Sequence, residues 1–181
     1  WDIAESVNFT LAELGLPTRP TEEIFGYVGD GVKKLLRLAV GEGNQARFEE
    51  ALKVFRGYYL DHCLDRTTFF AGIEPMLQHF AHKQKAIATN KSIDYTRVIM
   101  NGLGPSHFVY MVGGDDGFGL KPEPGMLLHI LEKLNVAKQS RGFEFPTGAQ
   151  MVMKHAHHLP KTELFRFLRS GTVHGAAIQL V

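Results

Sequence analysis

Lys85-Ala86-Ile87-Ala88-Thr89-Asn90-Lys91-Ser92 is the stretch on which the reading of the fold turns. A short apolar run stops abruptly at Thr-Asn-Lys-Ser, and a helical pattern follows. A buried strand of an α/β sheet has this form when it delivers a small hydroxyl residue to its carboxyl edge. In open α/β sheets, ligands bind at that edge. A hydroxyl, an amide and backbone N–H groups there suit a phosphate or another oxyanion. A second run, Phe108-Val109-Tyr110-Met111-Val112, reaches Gly113-Gly114-Asp115-Asp116 and then Gly119-Leu120-Lys121-Pro122, adding a lysine and two carboxylates.

Outward from these runs, helix and strand alternate. A short helix is predicted over 74–82, a strand over 85–89, a helix over 93–102 capped by Ser92, and a strand over 108–112. Pro122 and Pro124 then start a helix carrying Met126, Leu127, Ile130, Leu131 and Leu134. Such alternation predicts a parallel sheet with crossover helices. Before residue 66 the text is all helical. Helices are predicted over 2–14, from Thr21, over 32–40 and over 45–64, the last with Phe48, Ala51, Leu52, Phe55, Tyr59 and Leu60 as its stripe. Gly26, Gly29 and Gly31 read as a turn between helices rather than a phosphate loop, because no strand precedes them. The tail over 137–181 is interrupted by Pro146, Gly148 and Pro160, and residues 176–181 have the composition of a strand.

The 181 residues, 44% hydrophobic and 22% charged, suit a globular chain. A net charge of +1 argues against nucleic acid as partner. Cys63 is the single cysteine, so no internal disulfide forms, which fits a reducing compartment and a cytoplasmic location. No apolar run approaches membrane-spanning length. The chain opens at Trp1 directly in a helical pattern, so a processed or truncated N-terminus is expected.

Thr89 and Asn90 are candidate phosphate donors, against the plainer reading of a Thr-Asn turn. Lys121, between a Gly-rich turn and a Pro-rich helix start, is a candidate cation for a phosphate and a nucleophilic carboxylate, against a surface lysine. Asp115 and Asp116 could bind Mg²⁺ through oxygen, but Asp-Asp-Gly is an ordinary turn sequence and the turn is the favoured reading. His155, His157 and His158 lack Cys or Glu at a zinc-motif spacing and read as an exposed cluster.

Taken together, Asp2-Ile3-Ala4-Glu5-Ser6, Leu14-Gly15-Leu16-Pro17, Tyr27-Val28-Gly29-Asp30-Gly31, Phe70-Ala71-Gly72-Ile73, Ala88-Thr89-Asn90-Lys91-Ser92 and Gly113-Gly114-Asp115-Asp116 through Lys121-Pro122-Glu123-Pro124 carry a resemblance. Residues 2–136 resemble the haloacid dehalogenase superfamily, most closely its phosphoglycolate phosphatase-like branch. The resemblance implies a Rossmann-like parallel sheet core with an inserted helical cap: cap over 1–66, core over 67–136, and an unassigned segment over 137–181. It implies hydrolysis of a small phosphomonoester through an aspartyl-phosphate, with Mg²⁺ as cofactor. By resemblance Thr89 is the phosphate donor, Asn90 its neighbour, Lys121 the motif lysine, and Gly29 and Gly31 a cap turn facing the site.

Two family motifs have no counterpart. The nucleophile's Asp-x-Asp-Gly-Thr and the first strand would precede Trp1, and residues 145–162 hold no Asp or Glu where a metal-binding motif belongs. The main Mg²⁺ ligands are thus not found, and the chain itself is expected to be inactive. Alternatives are a non-catalytic relative that binds a phosphorylated ligand or a protein, and a phosphomutase or dehalogenase of the same superfamily. The first strand's slot is expected to be filled by residues 176–181, or exposed sheet edges to be covered by oligomerisation, a homodimer at its simplest.

Overall fold

The computed structural model describes residues 1–70, 72–104, 108–135 and the backbone of 176–178. Helix α1 (Asp2–Glu13) buries Ala4, Val7 and Leu11. Ser6 and Thr10 are buried with them, and each hydroxyl donates at 2.7 Å to the carbonyl four residues earlier. Neither polar group therefore enters the core unpaired. Helices α2 (Thr21–Tyr27), α3 (Val32–Val40) and α4 (Phe48–His62) complete the helical unit. The start expected for α4 at residue 45 is instead a 3-10 segment, Glu42–Arg47, with a break at Asn44. There the Asn44 amide donates to the Val40 carbonyl at 3.0 Å and Gln45 to the Gly41 carbonyl at 2.9 Å. Such local side-chain bonds compete with helix continuation.

The core of this unit holds Leu11, Ile24, Leu36 and Phe55, and it includes Tyr95 and Ile99 from helix α6 (Ile93–Gly102). The helical unit and the strand-bearing part thus share one apolar cluster.

Helix α5 (Ile73–His79) leads into β1 (Lys85–Ala88), which α6 follows. Strand β2 (Tyr110–Val112), helix α7 (Gly125–Lys133) and β3 (Ala176–Ile178) come after. The sheet is parallel, in the order β2-β1-β3. Its central strand is buried throughout, as expected for a parallel strand covered on both faces. Ile87 packs with Leu77, Met100 and Phe108, while Ala86 and Ala88 pack with Val112, Met126 and Ile130. The alternation follows from the two-residue period of a strand. The predicted strands run slightly past the regular ladder, yet their ends still pair: the Val109 N–H donates to the Lys85 carbonyl at 2.8 Å.

The strand expected within 176–181 is present as β3, on the edge of β1 opposite β2. The remaining expectations for 137–181, including the histidine cluster and the carboxylate-free text over 145–162, lie outside the described residues. Among the described residues no helix is long and apolar enough to cross a membrane.

Candidate functional site

Thr89 is the first residue past β1. It is buried, and its N–H donates to the Val112 carbonyl at 3.0 Å, carrying the ladder one step to the carboxyl edge. Its Oγ1 accepts from the Lys91 N–H at 3.1 Å, which turns the chain tightly at that edge.

Asn90 joins three loops. Its Nδ2 donates to the Gly29 carbonyl at 2.9 Å and to the Lys121 carbonyl at 3.2 Å, while its Oδ1 accepts from the Lys121 N–H at 2.7 Å. Both amide hydrogens are thus committed to backbone groups. Close approach of the loops depends on small residues. Gly31 has φ +87°, and a Cβ there would stand 3.4 Å from the Asn90 carbonyl oxygen. A Cβ at Gly114 would come within 2.3 Å of that same oxygen, so only glycine fits.

Lys121 is held by its backbone bond to Asn90, and its Nζ donates to the Ala88 carbonyl at 3.0 Å, immediately before Thr89. Burial lowers its pKa to about 8, which leaves an ammonium at neutral pH.

A cleft of about 70 Å³ lies between the helical unit and the loop after β1. Gly29, Gly31, Thr89, Asn90, Lys91 and Tyr59 are among the residues that line it. Four of the five sequence-predicted site residues therefore share one cleft. Lys121 is not among the lining residues and is bonded to Ala88 and Asn90 at the same sheet edge. A buried hydroxyl residue, an ammonium and a tight turn at one sheet edge form an arrangement suited to an oxyanion.

The Asp115 and Asp116 carboxylates brace the loops. Asp115 accepts from Ser92 Oγ at 2.5 Å and from the Ile93 N–H at 2.8 Å, and Asp116 accepts from the Gly113 N–H at 2.8 Å. Burial pushes the Asp115 carboxyl upward, but the bonds from Ser92 and Ile93 outweigh it and hold the group below the usual range. Ser92 does stand at the N-cap of α6, as expected, but the side chain that caps the helix is that of Asp115. Ser92 instead orients that carboxylate. Among the described residues, no three His, Cys, Asp or Glu side chains converge to hold a metal ion. Asp115 has both oxygens engaged and Asp116 one, and among the described residues no third ligand joins them, so the pair does not fit the Mg²⁺ implied by resemblance.

Two features of this region had no assigned role in the sequence reading. Lys91 lies in the decisive stretch, and its Nζ donates to the Tyr59 hydroxyl of α4 at 2.9 Å. The signal was a lysine two residues past a strand end, and Tyr59 was hidden within an apolar stripe. Asp2 is buried. Its Oδ2 accepts from the Thr67 N–H at 2.9 Å and from Thr67 Oγ1 at 2.7 Å, and its Oδ1 from the Arg66 N–H at 3.1 Å. It thereby joins the start of α1 to the segment that leaves α4. An Asp in the first turn of a helix gives no hint of so distant a partner.

The chain is similar to known proteins. The chain is 31% identical over 144 residues to the phosphoglycolate phosphatase of Thiobacillus denitrificans, covering 75% of this chain and 63% of that protein. It is 31% identical over 146 residues to the phosphoglycolate phosphatase of Chromobacterium violaceum, covering 76% and 66%. This chain thus spans less than two thirds of the length of these curated relatives. Among solved structures, a predicted phosphoglycolate phosphatase from Haemophilus somnus superposes with a TM-score of 0.66 at 22% identity, covering 74% of this chain and 64% of that one. At that identity the likeness shows the fold alone. The family model described as haloacid dehalogenase-like hydrolase matches residues 2–141, a span that contains α1 through α7 and the loops around the cleft, and the chain belongs to that family.

Proposed function

We propose that this protein is a phosphoglycolate phosphatase-like hydrolase whose β1–β2 edge receives the phosphate of a small phosphomonoester. The observation that carries the reading is Lys121 Nζ seated on the Ala88 carbonyl, beside Thr89 at the end of β1. In this reading Thr89 and the Lys121 ammonium meet the phosphoryl oxygens, and Asn90 positions both loops. The turn containing Gly29 and Gly31 belongs to a cap that closes the cleft and limits water. The family resemblance and the phosphoglycolate phosphatase relatives support this substrate class.

An aspartyl-phosphate route needs a carboxylate in line with the phosphorus. The described cleft wall has none, and the Asp115 and Asp116 carboxylates are engaged in the loops. In our reading, therefore, the 181-residue chain binds phosphate and does not cleave it. When bound, Mg²⁺ would neutralise phosphoryl oxygens. The described residues do not form its site.

The test measures phosphate release from phosphoglycolate with Mg²⁺, using this chain and a version extended before Trp1 by an Asp-x-Asp-Gly-Thr segment. Turnover by the extended protein and none by this chain is the expected result. Mg²⁺-dependent turnover by the 181-residue chain would contradict the proposed inactivity. If the extended protein binds phosphate without turnover, the non-catalytic binding reading takes its place.

A further inference from the structure

The cleft wall carries a buried cation, Lys91, that phosphate binding through Thr89 and Lys121 does not use. Lys91 lies on the cleft wall, two residues beyond Thr89, and its side chain crosses to the helical unit. There Nζ donates to Tyr59 Oη at 2.9 Å and stands 4.9 Å from the centre of the Tyr59 ring. Tyr59 is itself buried and packs edge-on against Tyr95 at 5.0 Å between ring centres. An ammonium has three donors, and a neutral phenol occupies one of them.

Among the described residues, no carboxylate lies within ion-pair distance of Lys91. Burial lowers the pKa of Lys91, opposed by Cys63 and then by Asp2, whose oxygens already accept from Arg66 and Thr67. Burying an ammonium opposite a neutral partner is costly, and an apolar chain of the same length would fit the site more favourably. A desolvated lysine on a cleft wall is thus better placed for a ligand's anion than for holding the fold together.

We infer that Lys91 recognises a second anionic group of the substrate, a carboxylate, while Thr89 and Lys121 hold its phosphate. This rests on the phosphate-binding reading above. It makes Lys91 the residue that selects a phosphorylated acid over a neutral phosphomonoester.

The experiment is calorimetric titration of the 181-residue chain with phosphoglycolate and with ethyl phosphate, which lacks the carboxylate. The unaltered chain should prefer phosphoglycolate by about tenfold or more, the worth of one charge-assisted contact. Lys91→Met should bring the two affinities together without weakening ethyl phosphate, and Lys91→Arg should retain most of the preference. Lys91→Gln, which can still donate to Tyr59, should lose the preference as Lys91→Met does. It serves as the second neutral variant if Lys91→Met does not fold. Lys121→Met should weaken both ligands alike. An unchanged ratio in the folded neutral variants would overturn the role of Lys91 while leaving the phosphate site standing. If the unaltered chain binds neither compound, the phosphate-binding reading fails, and this inference falls with it.

Discussion

Residues 2–62 pack around Leu11, Leu36 and Phe55, whereas the loops at 89–92 and 113–121 meet through a few hydrogen bonds, one between Gly114 N–H and the Lys91 carbonyl and the others from side chains. Helix α1 closes against α4 with apolar faces, and even its buried hydroxyls are satisfied within the helix. At the sheet edge, Asn90 joins the Gly29 turn to the Lys121 loop, and Asp115 ties the loop after β2 to the start of α6. Stability is therefore spread over many contacts in one region and concentrated in a few bonds in the other. The concentrated region carries the desolvated lysines Lys91 and Lys121, as expected where function competes with stability.

Substitutions can test that division. Phe55→Ala should have the largest effect. The ring is 2% exposed and its removal leaves a cavity, so a loss of about 4 kcal/mol is expected from urea unfolding. Asn90→Ala should cost less, about 2 kcal/mol, because it leaves the Lys121 N–H and two carbonyls without their partner. It should also weaken inorganic phosphate binding by freeing both loops. A cost as large as that of Phe55→Ala, with phosphate binding intact, would erase the proposed contrast.

The lysines give a pH test. Burial lowers Lys91 and Lys121 from 10.5 to about 8 in the folded chain. Between about pH 8 and 10.5 the unfolded chain then binds more protons than the folded one, so these groups make stability rise with pH in that window. Below it, the cost of burying both ammonium groups is fully present. Lys91→Met should flatten the rise, read as a weaker pH dependence of the urea midpoint. Its share should be less than about 3 kcal/mol. Phosphate binding should move the opposite way and weaken above about pH 8 as Lys121 loses its proton.

Asp115→Ala should have the smallest effect, about 1 kcal/mol for a lost helix cap. Because the carboxyl is held low in the folded chain, its contribution is present near neutral pH and fades as pH falls through the folded value. A loss of stability in this variant that persists unchanged in acid would remove Asp115 from the capping role.

Much of the fold was legible because its causes are local. The apolar period of α4 and the run ending at Ala88 each mark an element that must be buried. The abrupt stop at Thr89 marked the sheet edge correctly, since the chain turns there on Thr89's own hydroxyl. What the text hid depends on distant partners. Nothing near Asp2 announces Thr67, and nothing near Lys91 announces Tyr59. The 3-10 start before α4 was missed because the Asn44 and Gln45 amides, polar on paper, bond back to carbonyls around the end of α3. Asn90 stands at this edge, but its side-chain amide turns to the backbone of two other loops.

Calorimetric titration with inorganic phosphate of the unaltered chain, Thr89→Val and Lys121→Met is the most direct test of the central claim. The edge of β1 as a phosphate site predicts binding by the unaltered chain and a loss of about tenfold or more in each variant. Equal affinity in all three, or no binding by the unaltered chain, would contradict it.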